Sequence, residues 1–395
     1  MSMISNIEYL VGNAKVNSIP FKPFAKETVS FLDDLSIELK KIKNIKKFPD
    51  LISLSFWCRR NNIEQLKKKY LLSKNRLGLG LIFHITPSNI PTNFAYSLIF
   101  GLITGNSNIV KVPSKNFDQI KIICNLIKKI VKKKKNFIKD KITIIKYSQQ
   151  DDYTKYISSI CRGRVIWGGD KTVNQLREFK INERAIEITF ADRYSLCVMD
   201  SLKIAKLGEI ELKNLAIKFY NDTYLVDQNA CSSPHLILWL GKSNDKSINI
   251  FWNKLYKIVK KKYDLTDSAA IDKYTDLCAY SSKLKNIKNI KSKQNLIYRI
   301  QLKNIDKENH LLRGKWGLFF EYKMDNLNKL KKIINNKYQT LTYYGVDKDK
   351  LRDFIINNKL QGIDRVVPVG QGLNIGLQWD GLDIVSNMSR KIDII

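Results

Sequence analysis

Cys231 is the residue of this sequence best placed to act as a nucleophile. It lies in the short polar stretch 227–234, between a long helical pattern and the apolar run 235–239, which we predict to be a strand. A reactive thiol needs a partly polar pocket with access for substrate, whereas a structural cysteine usually lies within an apolar run. Cys124 and Cys197 lie in such runs and are predicted to be core residues. We therefore expect Cys231 alone to be accessible, with a loop cysteine of no role as the alternative.

Further polar candidates lie where apolar runs give way to helical patterns. The run 81–85 is broken by the segment 86–91, Thr-Pro-Ser-Asn-Ile-Pro, after which residues follow at helical spacing. Asn89 is thus expected in a strand-to-helix turn, where its side-chain amide can donate a hydrogen bond to an oxyanion. The next apolar run ends at Lys111 and is followed by Ser114, and these side chains suit the ribose and phosphate of a nucleotide.

The elements that must position these residues follow a regular order. From residue 77 to residue 199, apolar runs alternate with helical patterns, which predicts a parallel β-sheet covered by helices on both faces. Ligands bind such sheets at the carboxyl ends of the strands. Asn89, Lys111 and the pair Gly168–Gly169 each follow a strand, so we expect them at one edge. A second series, starting with a helix over 203–221 and including a helix over 325–336, predicts a second α/β domain.

Four segments of the sequence together resemble the aldehyde dehydrogenase superfamily and, within it, the acyl-CoA reductases of the LuxC family, known from bacterial bioluminescence. These segments are 85–97, 164–170, 187–195 and 227–231. Weaker similarity at 338–345 and 365–370 extends the resemblance from about residue 75 to the C-terminus. Residues 1–70 carry no motif that we can place.

The resemblance implies an α/β protein of aldehyde-dehydrogenase-like architecture, with a variant Rossmann cofactor domain and a second α/β catalytic domain. We assign residues 1–200 to the N-terminal region and cofactor domain and 201–370 to the catalytic domain. Residues 371–395 are expected to return to the cofactor domain or to form an interface in a homo-oligomer. The active site is expected in the cleft between the two domains.

A nicotinamide cofactor is also implied, although the sequence has no G-x-G-x-x-G fingerprint. In the aldehyde dehydrogenase mode, Lys111 contacts the adenosine ribose or its phosphate. Many NAD-preferring members carry an acidic residue three positions later, where this chain has Ser114 followed by Lys115. A carboxylate would repel a 2′-phosphate, so NADP(H) is favoured. The residues expected to bind the cofactor are Thr86, Pro87, Ser88, Lys111, Pro113, Ser114, Lys115, Gly168 and Gly169.

The implied reaction is the NADPH-dependent reduction of an acyl thioester, carried by coenzyme A or by a carrier protein, to an aldehyde. Cys231 attacks the thioester, Asn89 and the Cys231 N–H hold the oxyanion, and the acyl-enzyme then accepts a hydride. Glu187 stands where hydrolytic members have Glu-Leu-Gly-Gly, but the glycines are missing here. Its expected role is to shuttle a proton or to orient the nicotinamide. An oxidative aldehyde dehydrogenase, forming acyl-CoA or acid, is the alternative.

The net charge of +32 raises the question of nucleic-acid binding. The basic residues are mostly lysines spread along the chain, without the clustered arginines and aromatic residues of nucleic-acid sites, so we expect no nucleic-acid partner. The densest run, 128–135, is predicted to be the solvated end of a helix. A basic surface would instead attract coenzyme A or an acidic carrier. The resemblance also makes a ligase and an acyl-transferase plausible partners.

Several classes are disfavoured by what the sequence lacks. No apolar run reaches the length of a membrane span, and the N-terminus lacks the features of a secretory signal, so we expect a cytoplasmic protein. Six cysteines without paired spacing and three histidines disfavour disulfides and metal sites. His235 is predicted to be structural despite its closeness to Cys231 in the sequence, and His84 to be buried in a strand.

Overall fold

The computed structural model describes residues 7–69, 75–133, 137–148, 152–241 and 245–394. The chain forms two compact units, of which the first is Met1–Asp192 with Gly376–Ile395 and the second is Arg193–Ile375. From the sequence we expected domain boundaries at residues 200 and 370. We also assigned cofactor binding to the first domain and catalysis to the second. Those assignments stay a prediction.

Strands and helices alternate through most of the described chain. The strands are β1 (Glu8–Val11), β2 (Arg76–Gly78), β3 (Leu81–Ile85), β4 (Ser107–Lys111), β5 (Ile142–Lys146), β6 (Gly163–Trp167), β7 (Ile186–Phe190), β8 (Tyr194–Asp200), β9 (Pro234–Leu240), β10 (Ile287–Lys293), β11 (Ile297–Leu302), β12 (Leu318–Met324), β13 (Tyr338–Tyr344), β14 (Arg365–Pro368), β15 (Gln378–Trp379), β16 (Leu382–Asp383) and β17 (Ser389–Lys391). The α-helices are α1 (Lys26–Lys40), α2 (Pro49–Trp57), α3 (Arg60–Lys69), α4 (Asn93–Ile103), α5 (Asp118–Lys133), α6 (Tyr153–Ile160), α7 (Asp170–Arg177), α8 (Ser201–Ala205), α9 (Glu209–Thr223), α10 (Asp245–Lys262), α11 (Asp267–Lys283), α12 (Lys348–Asn357) and α13 (Ile384–Asn387).

The first unit is built on a sheet with the strand order β1-β5-β4-β3-β6-β7, in which β1 is antiparallel to β5 and the other neighbours are parallel. Every residue of β3 and of β6 is buried, as expected for parallel strands covered on both faces. Ile85 lies in register with Lys111 of β4 and with Ile166 of β6. The loops after these three strands therefore leave the sheet at the same edge.

The N-terminal and C-terminal segments both complete the first unit. The described part of residues 1–70, a segment without a recognisable motif, contributes β1 at the edge of the sheet and the helices α1 to α3. The buried Lys141 holds this segment, because its ammonium group donates to the backbone carbonyls of Asn17, at 3.0 Å, and of Ile19. At the other end of the chain, β17 pairs antiparallel with β2. Asn106 Nδ2 donates to the carbonyl of Met388 at 2.8 Å.

The lysine-rich run predicted to be a solvated helix end begins in α5. The helix buries Ile120, Ile123, Cys124, Ile127 and Ile130, at the spacing of one helical face. The lysines at 128, 129, 132 and 133 are all exposed, which confirms the prediction for the part of the run that the structure describes. Residues 134 and 135 of the run lie outside the described residues.

The second unit contains a seven-stranded sheet with the order β10-β11-β12-β9-β8-β13-β14, in which β10 alone is antiparallel to its neighbour among the described strands. Helices α9 and α10 cover one face and pack on Trp239 and Phe319. The opposite face packs Leu196, Leu236 and Phe320 against helices α11 and α12. Strand β8 has irregular pairing on both sides, because the registers with β9 and with β13 each shift next to Ser195.

Several element predictions for the second unit are wrong. The helix predicted over 203–221 is two helices, α8 and α9, separated at Gly208, whose N–H donates to Glu211 and starts the second helix. The helix predicted over 325–336 is a short 3₁₀ segment, Leu327–Lys332. Strand β10 was missed because its sequence, IKNIKSK, is that of a lysine-rich edge strand and lacks a continuous apolar run.

Candidate active site

The backbone before Cys231 takes an unusual course. Asp227 and Gln228 are successive residues with a φ of 56°, in the left-handed region that few non-glycine residues adopt. The buried side chain of Gln228 stabilises this conformation, because its Nε2 donates to the carbonyl of Leu318 at 3.3 Å and its Oε1 accepts from the Gly317 N–H at 2.8 Å. The approach to Cys231 is therefore built against the start of β12. Such strain is frequent at functional sites.

Cys231 itself occupies a tight turn that leads into β9. The Ser233 N–H closes the turn by donating to the carbonyl of Ala230 at 2.9 Å. The carbonyl of Cys231 accepts a hydrogen bond from Ser195 Oγ at 2.6 Å. Cys231 is half-buried, which leaves the residue partly accessible in a fixed backbone. This combination is what a nucleophilic cysteine requires.

The other five cysteines divide into two groups. Cys58, Cys124, Cys161 and Cys197 are buried, and burial raises the pKa of Cys124 and of Cys197 to about 12, so both remain neutral core thiols as predicted. Cys278 on α11 is exposed. The expectation that Cys231 alone is accessible is therefore wrong, because the helical pattern that contains Cys278 does not reveal which of its faces meets solvent.

Asn89 lies in the loop between β3 and α4, where its side chain is exposed. Thr86 fixes the start of this loop, since its N–H and its Oγ1 both donate to the carbonyl of Lys111, at 3.2 Å and 2.8 Å. Pro87 is half-buried and Ser88 is exposed. The loop is thus tied to the end of β4, and Asn89 and Lys111 share one edge of the first sheet.

The loop after β4 places two lysines at the same edge. Lys111 is half-buried, burial lowers its pKa, and its ammonium group lies 4.9 Å from the centre of the Tyr147 ring. Pro113 is buried, whereas Ser114 and Lys115 are exposed. A hydroxyl group between two ammonium groups can bind a phosphate group without a repelling carboxylate.

The Gly168–Gly169 turn follows β6 and starts α7. The Gly168 N–H donates to the carbonyl of Phe190 at 3.2 Å, and Gly169 is the N-cap residue of the helix. A Cβ added at Gly169 would meet no atom within 4 Å, while one added at Gly168 would lie 3.3 Å from Thr172. The N-cap position of α7 therefore adjoins open space, and the N–H groups of a first helical turn can donate to an anion.

A buried polar network lies beneath this edge. Trp167 Nε1 donates to Ser97 Oγ at 2.9 Å, and Ser97 Oγ lies 2.7 Å from His84 Nδ1. The serine proton is then free to point to Nδ1, so His84 Nε2 donates to Asn108 Oδ1 at 3.0 Å and the ring is neutral. Burial lowers the pKa of His84 to about 4. The network joins β3, β4, β6 and α4, and it confirms that His84 is a buried strand residue.

His235 also has a structural partner. It is buried at the start of β9, and its Nδ1 donates to the carbonyl of Gly314 at 3.0 Å. Its ring stacks on Tyr194 with the ring centres 5.3 Å apart. Burial lowers the pKa of His235 to about 3, and the positive charge of Arg313 acts in the same direction. A neutral ring held in this way fits the predicted structural role.

We predict that the two buried histidines make the folded state sensitive to acid. Their pKa values are about 4 and about 3 when folded but near the ordinary value of 6.5 when unfolded. Because the folded pKa is lowered, the stability that they contribute is present above about pH 6.5 and is lost as the pH falls. Each should account for roughly 2 kcal/mol of unfolding free energy between about pH 7 and about pH 5.

Urea unfolding at both pH values measures this effect. His84→Gln and His235→Gln should each show a smaller difference between the two pH values than the unmodified protein. An unchanged pH dependence in both variants would contradict the prediction.

Glu187 lies near the amino end of β7, in register with Arg164 of β6. Its carboxylate accepts from Arg164 Nε at 2.9 Å and from Arg177 Nε at 2.8 Å. Burial by itself raises the pKa of Glu187, but the hydrogen bonds from Arg177 and Arg164 lower it below its usual value. A carboxylate held by two guanidinium groups is a weak proton acceptor. Asn89 follows the carboxyl end of β3, so the two residues lie at opposite ends of their sheet.

Asp222 and Arg365 form a clamp that sequence reasoning missed. Asp222 is buried and accepts from the N–H groups of Gly370 and Gly372, at 2.6 Å and 2.8 Å, while Arg365 Nη1 donates to the Gly372 carbonyl at 2.8 Å. Burial raises the pKa of Asp222 to about 7, although these hydrogen bonds act in the opposite direction. A Cβ at Gly372 would lie 3.3 Å from the carbonyl oxygen of Ser232. The clamped loop therefore packs against the Cys231 turn.

The architecture is that of the aldehyde dehydrogenases. Solved structures similar to this chain include an NAD-dependent benzaldehyde dehydrogenase from Corynebacterium glutamicum, with a TM-score of 0.61 and 10% identity over 93% of this chain and 84% of that one. A variant of 1-pyrroline-5-carboxylate dehydrogenase from Thermus thermophilus has a TM-score of 0.63 and 9% identity, over 92% of this chain and 80% of that one. A betaine aldehyde dehydrogenase from Staphylococcus aureus, in complex with NAD+, has a TM-score of 0.57 and 14% identity, over 87% of this chain and 76% of that one. The likeness confirms the predicted fold class.

The sequence family is more specific than the fold class. A family model described as acyl-CoA reductase (LuxC) matches residues 45–391, which begins farther towards the N-terminus than the motifs that we recognised. The chain therefore belongs to the LuxC acyl-CoA reductase family, and it is an enzyme that reduces acyl-CoA to an aldehyde. A comparison with curated proteins finds no significant match.

Within the described ranges, no helix combines the length and the apolar character needed to cross a bilayer.

Proposed function

We propose that this enzyme reduces acyl-CoA with NADPH through an acyl-enzyme on Cys231. The observation that carries the proposal is the half-buried Cys231 in a tight turn, preceded by two left-handed residues and held by hydrogen bonds from neighbouring elements. Among the six cysteines, only this one combines access with a fixed polar surrounding. A thioester substrate makes a thiol nucleophile suitable, because transthioesterification exchanges one thioester for another of similar energy.

In the acylation step, the Cys231 thiolate attacks the carbonyl carbon of the acyl-CoA. The carbonyl oxygen becomes an oxyanion, to which the Asn89 amide and the Cys231 N–H are proposed to donate. The bond to the coenzyme A sulfur then breaks, and coenzyme A leaves as its thiol after taking up a proton. Cys231 retains the acyl group as a thioester.

The residues at the edge of the first sheet fit a dinucleotide. The N-cap residue Gly169 of α7 adjoins open space, and Lys111 provides a positive charge on the same edge. When bound, the reduced nicotinamide supplies the hydride for the acyl group on Cys231. Addition of the hydride to the acyl group would give a thiohemiacetal anion on Cys231, which would collapse to the aldehyde and release Cys231 as its thiolate. Thr86, Pro87 and Ser88 are proposed to line this site through the loop that Thr86 fixes.

We assign Glu187 a structural role, because its carboxylate on β7 binds Arg164 of β6 and Arg177 of α7. Hydrolytic release of an acid needs a carboxylate that is free to accept a proton from water. The two arginines disfavour that chemistry and with it the hydrolytic alternative.

The proposal has three further parts. They are delivery of the acyl group by a carrier protein, a homo-oligomeric state, and partnership with a ligase or an acyl-transferase.

The experiment that tests the function uses the intact protein and acyl-CoA substrates of increasing chain length. Without cofactor, mass spectrometry should find one acyl group per chain. Addition of NADPH should then release the aldehyde and restore the original mass. If no acyl-CoA modifies the protein and NADPH is not consumed in its presence, the proposed mechanism is wrong.

Cofactor preference gives a separate prediction. Because Ser114 and Lys115 stand where a carboxylate would repel the 2′-phosphate, kcat/KM should be higher with NADPH than with NADH. Ser114→Glu should invert the order, since the new carboxylate repels the phosphate and accepts from a 2′-hydroxyl group. Steady-state kinetics with both cofactors measures the ratio, and Ser114→Ala is the control for loss of the hydroxyl without added charge. Equal use of both cofactors by the unmodified enzyme would show that these contacts are misplaced.

A further inference from the structure

Ser195 connects Cys231 to an interior strand of the second sheet. Its side chain is fully buried, and its Oγ donates to the carbonyl of Cys231 at 2.6 Å. The same oxygen accepts from the N–H of Thr340 at 3.2 Å. One hydroxyl group thus links the Cys231 turn, strand β8 and its neighbour β13.

The strand pairing at this level explains why a side chain makes these bonds. On one side, Ser195 pairs with Pro234 but Leu196 pairs with Leu236, so β9 carries one extra residue. On the other side, the register between β8 and β13 shifts between Tyr338 and Leu341. Both irregularities interrupt the ladder next to Ser195. Bulges of this kind are common beside active sites, where they redirect the chain.

We propose that Ser195 is a positioning residue for the Cys231 nucleophile. The inference rests on the proposed function, in which Cys231 forms the acyl-enzyme. The hydrogen bond to the Cys231 carbonyl fixes the orientation of the peptide group after the cysteine, and so the direction in which the Cα–Cβ bond presents the sulfur. A displaced nucleophile reacts slowly even when the substrate binds normally, because the attack requires a close and aligned approach.

A purely structural role makes a different prediction. If Ser195 only satisfies buried backbone groups, its removal costs about 1–3 kcal/mol of stability and leaves the reactivity of the thiol unchanged. Thr342 provides the matched comparison. It is buried on β13 and its Oγ1 donates to the carbonyl of Leu196 at 3.4 Å, in the same sheet but one residue further along β8.

The test is made in a Cys278→Ser background, which removes the exposed thiol on α11. Ser195→Ala and Thr342→Val are compared for acylation by acyl-CoA in a single turnover, for steady-state kcat and KM, and for alkylation of Cys231 by iodoacetamide across a range of pH. We expect Ser195→Ala to slow acylation by about 10- to 100-fold with little change in KM. Alkylation should slow as well, because it reports the presentation of the thiol without substrate.

Thr342→Val should acylate within about twofold of the background rate, and Ser195→Thr, which keeps a hydroxyl group, should recover most of the acylation rate. If Ser195→Ala does not fold, Ser195→Cys, which is a weak donor of similar shape, gives the same comparison. Acylation and alkylation at the background rate in a folded Ser195 variant would overturn the proposal, and so would an equal loss in Thr342→Val. Failure of the proposed function is distinguishable, since the Cys278→Ser background itself would then form no acyl adduct, or the adduct would persist in Cys231→Ala.

Discussion

Replacing Cys231 by alanine is expected to abolish acyl-enzyme formation and aldehyde production while leaving the fold intact. The thiolate is the group that forms the covalent bond, and no hydroxyl or amine near it in the sequence can replace its nucleophilicity at neutral pH. The stability should change little, because the residue is only half-buried and its backbone hydrogen bonds do not depend on the side chain. The measurements are the mass of the protein after exposure to acyl-CoA, NADPH consumption and thermal unfolding.

The buried cysteines provide the controls. Cys124→Ala and Cys197→Ala remove core atoms, so each should lower stability by about 1–2 kcal/mol and retain turnover. Cys278→Ser, at an exposed position, should change neither property. A Cys231→Ala enzyme that still reduces acyl-CoA at the normal rate would end the assignment of the nucleophile.

Asn89→Ala is expected to lower kcat by about 10²–10³, which corresponds to roughly 3–4 kcal/mol of transition-state stabilisation. The side-chain amide donates to an oxygen that is a weak acceptor in the thioester and a strong one in the tetrahedral adduct. Its loss should therefore affect the rate far more than the binding of acyl-CoA. Single-turnover acylation and hydride transfer should both slow, and each can be measured by rapid quenching.

A helix cap is the alternative role for Asn89, and it would be worth about 1 kcal/mol of stability. Helix α4 begins at Asn93 with Thr92 at its N-cap position, three residues beyond Asn89, which weakens that alternative. Asn89→Asp separates the two roles further. A carboxylate can serve as a cap but cannot donate to an oxyanion, so activity should fall at least as far as in Asn89→Ala. If Asn89→Ala melts earlier but acylates at the normal speed, the oxyanion donor must be sought elsewhere.

The sheet edge that carries Asn89 could be predicted because its determinants are local. Each strand of the first sheet is a short apolar run, and the polar residues that follow it mark where the strand ends. Parallel order then brings the ends of β3, β4 and β6 together, whatever the details of packing. The polar stretch around Cys231 could be recognised in the sequence for the same reason. Fold class and family followed from these segments, and both are confirmed.

Tertiary structure decided the partners of the buried polar groups. In the sequence, Glu187 is a candidate for shuttling a proton. The register of β6 against β7 instead places its carboxylate beside the guanidinium group of Arg164, and α7 contributes Arg177. Ser195 acquires its place beside Cys231 only because two register shifts meet at β8. The sequence by itself determined the strands β3 to β7 of the first sheet, where they end and which cysteine lies in a polar turn. Hydrogen-bond partners far apart in the chain depend on strand register and packing, which no local pattern encodes.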